Sequence, residues 1–399
     1  MKINKYINIV HAHAARGFSL VELMVALLIG LIISIGVVQI FGATRATYQL
    51  DEALARAQEN GRFALEFLTQ DIRHAGIIGC YRPTNIPDTR PINFLANAVA
   101  PWKLDFPGVT AFEYGGTGIG DNYSTPPTLP GNTSAGWNPA LATTFAPAGG
   151  PLVPGGALPG TDVIAVQRMA AETWSLVPPF ITPASVFIDP TFAGRVSPND
   201  VLMVTDCMQS AVFMATSINT ATGQIDHAAS ATTNRCGLWL AGGLAGGPAA
   251  ACTDVFTNPA PGTVLGRMET IVFFVANDAS VPPRPALFRS VINPAGGGVG
   301  AQALVEGVEN FQVLYGVDDV TVDGTADRYV PASGVGDFAR VVSVQIGILV
   351  YGVNATGTAN DTEVDTDTQV VAGTNIIPSG DRRKRRVFNT TIQLRNRGS

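Results

Sequence analysis

The fold is decided by the stretch RGFSLVELMVALLIGLIISIGVVQIF, which occupies residues 16–41. From Leu23 to Phe41 it runs through nineteen residues, of which only two are polar. As an α-helix this run spans about 28 Å, close to the hydrocarbon thickness of a bilayer. Glu22 stands at the start of the run, where an ionised side chain is costly. The sequence therefore predicts a membrane helix whose carboxylate has a specific partner.

The residues before the apolar run indicate its orientation and its processing. Residues 1–17 carry three basic side chains and no acidic one, so the positive-inside bias places the N-terminus in the cytoplasm. An ordinary secretory signal has its cleavage site after the apolar core. Here the junction of Gly17 with Phe18 precedes the core. Cleavage at this junction would leave the helix attached to the mature chain.

Residues 17–23, GFSLVEL, resemble the class III leader of type IV pilins and of the type II secretion pseudopilins. The resemblance implies that a prepilin peptidase cuts between Gly17 and Phe18 and methylates the new amine of Phe18. It also implies that Glu22 compensates this positive group and so sets the register of subunits packing into a filament. The partner of Glu22 lies either on its own helix, whose N-terminus carries partial positive charge, or on a neighbouring subunit.

The helix is expected to continue beyond the membrane. We predict one helix from Phe18 to about Ala75, with an apolar membrane half at 18–42 and an amphipathic half at 43–78. The glycines of HAGIIGC, Gly76 and Gly79, are its stop signals. The apolar positions alternate by three and four, which is typical of a helix face turned to a core. These positions are Leu50, Leu54, Ala57, Gly61, Ala64, Leu68 and Ile72, whereas Asp51, Glu52, Arg56, Glu59, Arg62 and Asp71 are expected on the remaining surface.

Residues 79–399 have the composition of a β-rich globular head. The chain contains 43 glycines and 27 prolines, and its apolar residues alternate with period two between turn-rich joints, which predicts a mainly antiparallel sheet. The predicted strands are Thr161–Met169, Asp200–Asp206, Ala211–Thr216, Met268–Asn277, Ala286–Val291, Val308–Gly316, Val341–Gly352 and Arg386–Arg395. A helical spine followed by many strands makes the fold class α+β.

A Gly- and Pro-rich excursion at residues 115–160 interrupts the strand pattern. It carries little charge and no cluster of metal-ligating residue types. We interpret it as a surface insertion, and a partner-binding loop is the alternative.

Later segments are similar to the PilW family of minor pilins, and these segments are 159–167, 204–213, 304–319, 326–332 and 382–397. The resemblance implies a pilin-like fold and a structural subunit that helps to initiate pilus assembly and sits in the tip complex. Pili of this family support adhesion, twitching motility or DNA uptake. The implied partners are prepilin peptidase, other minor pilins, the major pilin, the inner-membrane assembly platform and a tip adhesin.

The resemblance also implies a location. Before assembly the subunit is a single-pass protein of the bacterial inner membrane with its head in the periplasm, and after assembly it stands at the pilus tip on the cell surface. Two alternatives remain open: a minor pseudopilin of type II secretion, and a membrane-anchored adhesin or ligand-binding protein that uses the Gly/Pro-rich excursion.

Four cysteines, Cys80, Cys207, Cys236 and Cys252, follow the membrane segment. Their even number and the export signal predict two disulfides in an oxidising compartment, with three pairings allowed. Because a bridge that closes a long loop constrains the unfolded chain most, we favour Cys80–Cys207 and hence Cys236–Cys252. Buried free thiols are the alternative.

The sequence predicts no enzyme, no cofactor and no metal site. The GxSxG, HExxH and Walker A patterns are absent, the glycine run Gly296–Gly300 is expected to be a loop, and only His74 and His227 lie beyond the leader. Alternating acids at 361–367 and the segment 318–327 are weak calcium candidates, better explained as an acidic strand edge and an Asp/Gly turn.

The basic run RRKRR at Arg382–Arg386 raises the question of DNA contact. A net charge of −6 makes the whole chain a poor general binder of nucleic acid. We therefore favour a solvated strand flank or an ion-pair partner for the acidic stretch just upstream, and nucleic-acid binding is left open.

Overall fold

The computed structural model describes residues 19–77, 79, 92–95, 108–126, 128–141, 153, 155–182, 184–229, 233–234, 262–280, 282–292, 299–321, 323–352, 365–381 and 383–395. The chain divides into two compact units, of which the first ends at Asp51 and the second begins at Glu52. One long helix, α1 (Leu20–Arg73), contributes residues to both units.

In the second unit α1 turns a stripe of mostly small and aliphatic residues toward the strands. Its buried residues are Ala53, Ala57, Gly61, Ala64, Leu68, Asp71 and Ile72. A Cβ added to Gly61 would lie 2.3 Å from a ring carbon of Phe388, so glycine permits an approach that a side chain would block. The predicted stripe is confirmed from Ala57 to Ile72. It was wrong for Leu50, which is 38% exposed, because the buried stripe begins at Ala53.

The end of α1 follows the predicted glycine signals, and the helix stops at Arg73, two residues before the expected end. Gly76 and Gly79 both have φ of +71°, a left-handed conformation that glycine adopts without a Cβ penalty. The N–H of Gly76 donates to the carbonyl of Gln167 at 2.8 Å, so the chain leaves the helix directly onto a strand.

The rest of the described second unit contains a second, short helix, α2 (Pro190–Ala193), two 3₁₀ helices (Ala332–Gly334 and Phe338–Arg340) and nineteen strands. The strands are β1 (Ile92–Asn93), β2 (Val109–Tyr114), β3 (Asn122–Ser124), β4 (Trp137–Asn138), β5 (Val163–Thr182), β6 (Ser185–Ile188), β7 (Val201–Thr205), β8 (Ser210–Met214), β9 (Ser217–Asn219), β10 (Gln224–Asp226), β11 (Val264–Asn277), β12 (Pro285–Ile292), β13 (Val299–Glu306), β14 (Val308–Val317), β15 (Arg328–Val330), β16 (Val341–Tyr351), β17 (Gln369–Val371), β18 (Thr374–Ile377) and β19 (Arg385–Gln393).

The described strands form three sheets. The largest has twelve strands along the path β1-β8-β7-β11-β5-β6-β10-β9, with β12 and β13 added beside β11 and with β2 and β4 added beside β5. The second has the order β15-β14-β16-β19, and the third has the order β17-β18-β3. All described strand pairs are antiparallel except β1 with β8 and β3 with β18. The α+β fold class, with a long apolar helix and a mainly antiparallel head, is confirmed.

All eight predicted strands are present, and the structure adds eleven that were not predicted, of which β13 (eight residues) and β2 (six residues) are the longest. β5 is longer than predicted: it continues past Met169 to Thr182, with a register shift between Leu176 and Ile181. The run Gly296–Gly300 is not wholly a loop, because β13 begins at Val299.

The two larger sheets meet at the turn Gly160–Asp162. The N–H of Asp162 donates to the carbonyl of Phe311 at 2.8 Å, and its carboxylate accepts the N–H of Val313 at 2.9 Å. The carbonyl of Gly160 accepts hydrogen bonds from the amides of Asn310 and Gln312, both at 2.8 Å. This turn therefore acts as a short extra partner for the edge of β14 and joins the sheets around one apolar core that also contains the end of α1.

Candidate functional site

The start of α1 is closed by a reciprocal pair of hydrogen bonds. The N–H of Glu22 donates to the hydroxyl of Ser19 at 3.1 Å, and the carboxylate of Glu22 accepts the N–H of Ser19 at 3.4 Å. This is a capping box, which satisfies backbone donors that a helix start leaves without partners. Sequence reasoning assigned no role to Ser19, although the pattern Ser-x-x-Glu before an apolar run signals such a cap.

The cap shows what the carboxylate of Glu22 can do chemically. It lies at the positive end of the helix, where a negative charge is favoured. Gly17 and Phe18 lie outside the described residues, so cleavage between them and methylation of Phe18 stay predictions. The register role of Glu22 also stays a prediction.

The apolar segment of α1 is uncovered within the chain. Its large apolar side chains from Leu20 to Phe41 are between 49% and 75% exposed. An 18-residue window of this helix reaches a mean hydropathy of 2.7 with none of its residues buried. Such a surface requires a lipid or protein environment, because leaving it in water costs about 25 cal/mol per Å².

The other end of α1 is held by a carboxylate that the sequence placed on the surface. Asp71 is only 8% exposed, and its two oxygens lie 3.0 Å from Arg168 of β5 and 2.8 Å from Arg289 of β12. The prediction that Asp71 lies on the surface was wrong. Helical periodicity assigns a charged residue to the solvent face, and it carries no information on partners that are distant in sequence. The pairing fixes the helix end to two neighbours in the large sheet.

Of the four cysteines, only Cys207 is among the described residues. Cys207 is disulfide-bonded, and Cys80, Cys236 and Cys252 lie outside the described residues. A Cβ added to Gly79 would lie 2.8 Å from the side chain of Thr205, so the chain passes the β7–β8 turn just before Cys80. The Cys80–Cys207 pairing stays a prediction, and this proximity supports it.

Within the basic run 382–386, Arg385 is buried in the protein. Its side chain is fully buried, pairs in bidentate fashion with Glu309 (2.6 and 3.1 Å) and with Asp381 (2.8 and 2.9 Å), and lies 3.5 Å from Asp365. Burial acts to lower the pKa of Arg385, but hydrogen bonds to these carboxylates outweigh it and hold the pKa above its usual value. Arg383 packs over the ring of Tyr351 at 4.5 Å.

For Arg385 these contacts confirm the interpretation as an ion-pair partner of the acidic stretch upstream, since Asp365 belongs to that stretch, whereas Arg386 is exposed and Arg382 lies outside the described residues. Asp361 and Glu363 lie outside the described residues. The N–H groups of Arg385 already donate to the carboxylates of Glu309 and Asp381, so this guanidinium is not available to a phosphate.

The segment 318–327 forms the expected Asp/Gly turn. The carboxylate of Asp327 accepts the N–H groups of Asp319, Val320 and Thr321 at 3.0, 2.8 and 3.4 Å. Asp319 is also paired with Arg328. Within the described ranges, no group of three or more His, Cys, Asp or Glu side chains is arranged to hold a metal ion.

A buried acidic cluster at the sheet junction escaped sequence reasoning. Asp162 is 5% exposed, Glu113 is 8% exposed, and Tyr315 of β14 lies beside them with 1% exposure. Burial raises the pKa of Asp162 to about 8, against the N–H groups of Val313 and Tyr114 that act to lower it. No local pattern signals this cluster, because its members come from β2, β14 and the turn before β5.

His227 is fully buried against the ring of Phe213 at 5.2 Å, and burial lowers its pKa to about 4. It is therefore neutral at pH 7. His74 contacts the carbonyl of Gln70 of its own helix at 2.7 Å.

The Gly/Pro-rich excursion is more firmly anchored than a surface insertion requires. Trp137 is 5% exposed and donates its indole N–H to the carbonyl of Thr161 at 2.8 Å. Leu141, Val153 and Ala157 join Trp137 in an apolar cluster with β5 and β11. The side-chain amide of Asn132 accepts the backbone N–H of Asn277 at 2.8 Å and donates to the backbone carbonyl of Asn277 at 3.4 Å. The described part of the excursion thus contributes to the core.

Comparison with known proteins adds two sequence matches. Residues 13–38 match the family described as the prokaryotic N-terminal methylation motif, and residues 272–396 match the family described as Type IV Pilus-assembly protein W. The first match covers the capped start of α1, and the second covers β12 to β19 with the Arg385 network.

Among solved structures, the chain is similar to a type IV-like pilin, TTHA1219, from Thermus thermophilus. The identity is 13%, the TM-score is 0.21, and the alignment covers 51% of this chain and 88% of that one. Comparison with curated proteins gave no match. This chain is therefore similar to type IV pilins of the PilW family in three features: an N-terminal methylation motif, an exposed apolar helix that starts within that motif, and a strand-rich head whose residues 272–396 match the PilW family.

Proposed function

We propose that this chain is a PilW-like minor pilin of the type IV pilus, a tip-complex subunit that helps to initiate pilus assembly and supports adhesion, twitching motility or DNA uptake. The observation that carries the proposal is the apolar surface of α1, exposed from Leu20 to Phe41 in a chain that carries a methylation motif. In the inner membrane, lipid covers this surface. In the filament, helices of other pilins cover it, so transfer between the two states costs little apolar exposure.

Processing by prepilin peptidase is the first step of this mechanism. Cleavage after Gly17 creates an ammonium at Phe18, one residue before the cap. The carboxylate of Glu22, which already accepts a backbone N–H at this helix end, is close enough in sequence to pair with that ammonium or with the ammonium of a neighbouring subunit. The head lies on the periplasmic side, and the assembly platform is the partner that extracts the helix.

The test is recovery of the chain in sheared pili from a strain whose own copy is deleted. Glu22→Ala should leave the protein in the membrane fraction but remove it from pili, and should lower the number of surface pili. Glu52→Ala is the matched control, because Glu52 is an exposed glutamate of the same helix that pairs with Arg56 at 2.6 Å. Normal incorporation of the Glu22→Ala protein would overturn the register role.

Location is tested separately by immunogold labelling of intact pili with an antibody against the head. Label at filament ends supports the tip assignment. Label along the whole filament would contradict it, and loss of secretion without loss of pili in the deletion strain would indicate a pseudopilin.

A further inference from the structure

Strand β19 leaves one edge of the second sheet open. Within the described ranges it pairs with β16 alone, through nine residue pairs without a register shift. Among the described strands that pair with a single neighbour it is the longest. The next, β13, has eight residues and two register shifts, and the others have two or three residues. A regular open edge is a template for pairing with another chain.

The backbone groups at this edge follow from the ladder. The N–H of Leu394 donates to the carbonyl of Val342 at 2.9 Å. Because alternate residues of an antiparallel strand face its neighbour, the even-numbered residues of β19 bond to β16, and the odd-numbered ones turn their N–H and C=O groups outward. The outward residues that are half-buried or exposed are Val387, Asn389, Thr391 and Gln393. The outer edge of β19 is therefore accessible from Val387 to Gln393.

Two layers of the head flank β19. On one face the ring of Phe388 lies against Gly61 of α1. On the other face Val387 packs against Val371 of β17 and Ile376 of β18. A strand added at the outer edge would continue the sheet from this position, with its side chains alternating between the α1 side and the β17 side.

Both ends of the outer edge are basic. Arg386 precedes the accessible stretch and Arg395 follows it, and both residues are exposed. The salt bridges of the basic run belong to Arg383 and Arg385, and within the described ranges Arg386 and Arg395 form none. A segment with acidic side chains at its ends would meet an opposite charge at each end.

The other charges around the edge do not reverse this preference. The acids already paired with Arg385 are Glu309, Asp365 and Asp381. Asp367 is exposed, but it leads into β17, whereas Arg386 lies on the α1 side of the sheet with Phe388. The remaining exposed charges include both signs and are Glu59, Arg62 and Glu66 on α1 and Asp337 and Arg340 before β16.

The same charges disfavour a second copy of this chain as the occupant. Antiparallel pairing of two β19 strands along their outer edges would bring Arg386 of one copy close to Arg395 of the other. Like charges that face each other on neighbouring strands are destabilising. The edge is therefore better suited to a different protein.

We propose that the outer edge of β19 binds an extended segment of another protein of the tip complex as an added strand. The segment is about seven residues long and carries acidic side chains at its ends. Backbone hydrogen bonds to the outward groups supply affinity, and Arg386 and Arg395 select the segment. Because one edge accepts one strand, the contact is made once for each subunit and does not repeat along a filament. The inference rests on the proposed place in the tip complex and adds the kind of partner that is recruited there.

Photo-crosslinking in intact cells, combined with a backbone block, tests the contact. Thr391 is replaced with p-benzoylphenylalanine in the full chain, and the crosslinked peptides are sequenced. We expect crosslinks to one stretch of a different protein, with aspartate or glutamate at both ends of about seven residues. Asn389→Pro removes an outward N–H and leaves the ladder with β16 in place, so it should lower the crosslink yield at least about tenfold. Asn389→Ala, the matched control, keeps this N–H and should change the yield less than about twofold.

Neutralisation of the two bases is a second test that leaves the backbone unchanged. Arg386→Gln together with Arg395→Gln should lower the crosslink yield about tenfold. Arg328→Gln is the matched control, because Arg328 is an exposed base of β15 at the opposite edge of the same sheet, and it should leave the yield unchanged. A yield that neither the proline variant nor the double glutamine variant lowers would overturn the proposal. Crosslinks to lipid, to DNA or to a second copy, or none at all, would overturn it as well.

Incorporation of the chain into sheared pili is measured in the same cells. A chain that enters pili normally but gives no crosslink from position 391 would overturn the added strand and leave the proposed function intact. A chain that is absent from pili would overturn both.

Discussion

Replacement of Arg385 with methionine gives the sharpest test of how the head is held together. The substitution keeps an unbranched apolar stem of similar reach and removes the guanidinium that pairs with Glu309 and Asp381. Glu309 and Asp365 are then left almost without water, since their side chains are only 11% and 9% exposed. Removal of one partner from a buried ion pair costs about 3–5 kcal/mol. Because Asp381 keeps 33% exposure and can be hydrated, we expect about 3 kcal/mol here.

The assay is urea unfolding of the full chain in detergent micelles, followed through tryptophan fluorescence, because Trp137 and Trp174 are both buried in the head. The midpoint should fall while the slope stays unchanged. Arg386→Met is the matched control: it removes the same charge one residue later from an exposed position, and it should change the stability by less than about 0.5 kcal/mol.

A double substitution and a pH dependence test the same ion-pair network further. Addition of Glu309→Gln to Arg385→Met should recover at least about 1 kcal/mol, because it removes an unpaired buried charge. The hydrogen bonds from Arg385 and Arg383 outweigh burial and lower the pKa of Asp381, so its stabilising contribution is present above the unfolded pKa and is lost as pH falls below it. The cost of Arg385→Met should therefore shrink in acid. A cost below about 1 kcal/mol at pH 7 would refute the network.

Three other substitutions have expected outcomes in the same unfolding assay. The folded-state pKa of Asp162 is raised from 3.8 to about 8, so the free energy of unfolding of the wild type should fall as pH rises through this range. Asp162→Asn should remove this pH dependence, and an unchanged pH dependence would contradict the raised pKa. Asp71→Asn should cost about 2–3 kcal/mol, because Arg168 and Arg289 lose their carboxylate but stay partly hydrated; a neutral effect would contradict it. Gly61→Ala should destabilise despite about 1 kcal/mol of better helix propensity, since the methyl group meets the ring of Phe388, and Phe388→Leu should relieve it.

The parts of the fold that depend on local periodicity were predictable. The buried helix positions from Ala57 to Ile72 repeat every three or four residues, and β16 alternates with period two, so each element carries its own signal. The stop at Gly76 was predictable for the same reason, since a left-handed conformation favours glycine in any context.

The missed features depend on partners that are distant in sequence. Asp71 reads as a surface charge until Arg168 and Arg289 are brought to it across the large sheet. Likewise, nothing within the run 382–386 indicates that Arg385 is the residue that turns inward, because Glu309 lies 76 residues away. In β13, Val305 pairs with Leu287 and Ala303 with Phe288, so Leu304 is the extra residue of a β-bulge, and this bulge is set by strand pairing and leaves no local pattern.

At the candidate site, the sequence predicted the start of α1 and its processing signal. The residues 17–23 indicated the class of protein, and the methylation-motif match at 13–38 includes them. The cap by Ser19 was predictable from the pattern Ser-x-x-Glu, in which Glu22 both accepts the N–H of Ser19 and donates its own N–H to the hydroxyl of Ser19.

Assignment of the apolar helix to pilus assembly depends most directly on the identity of the mature first residue. Intact-mass and N-terminal peptide analysis of the chain from cells with an active prepilin peptidase should show a protein that begins at an N-methylated Phe18, and cells without the peptidase should retain Met1 or its immediate successor. A chain that keeps residues 1–17 when the peptidase is active would contradict the assignment of the apolar helix to pilus assembly.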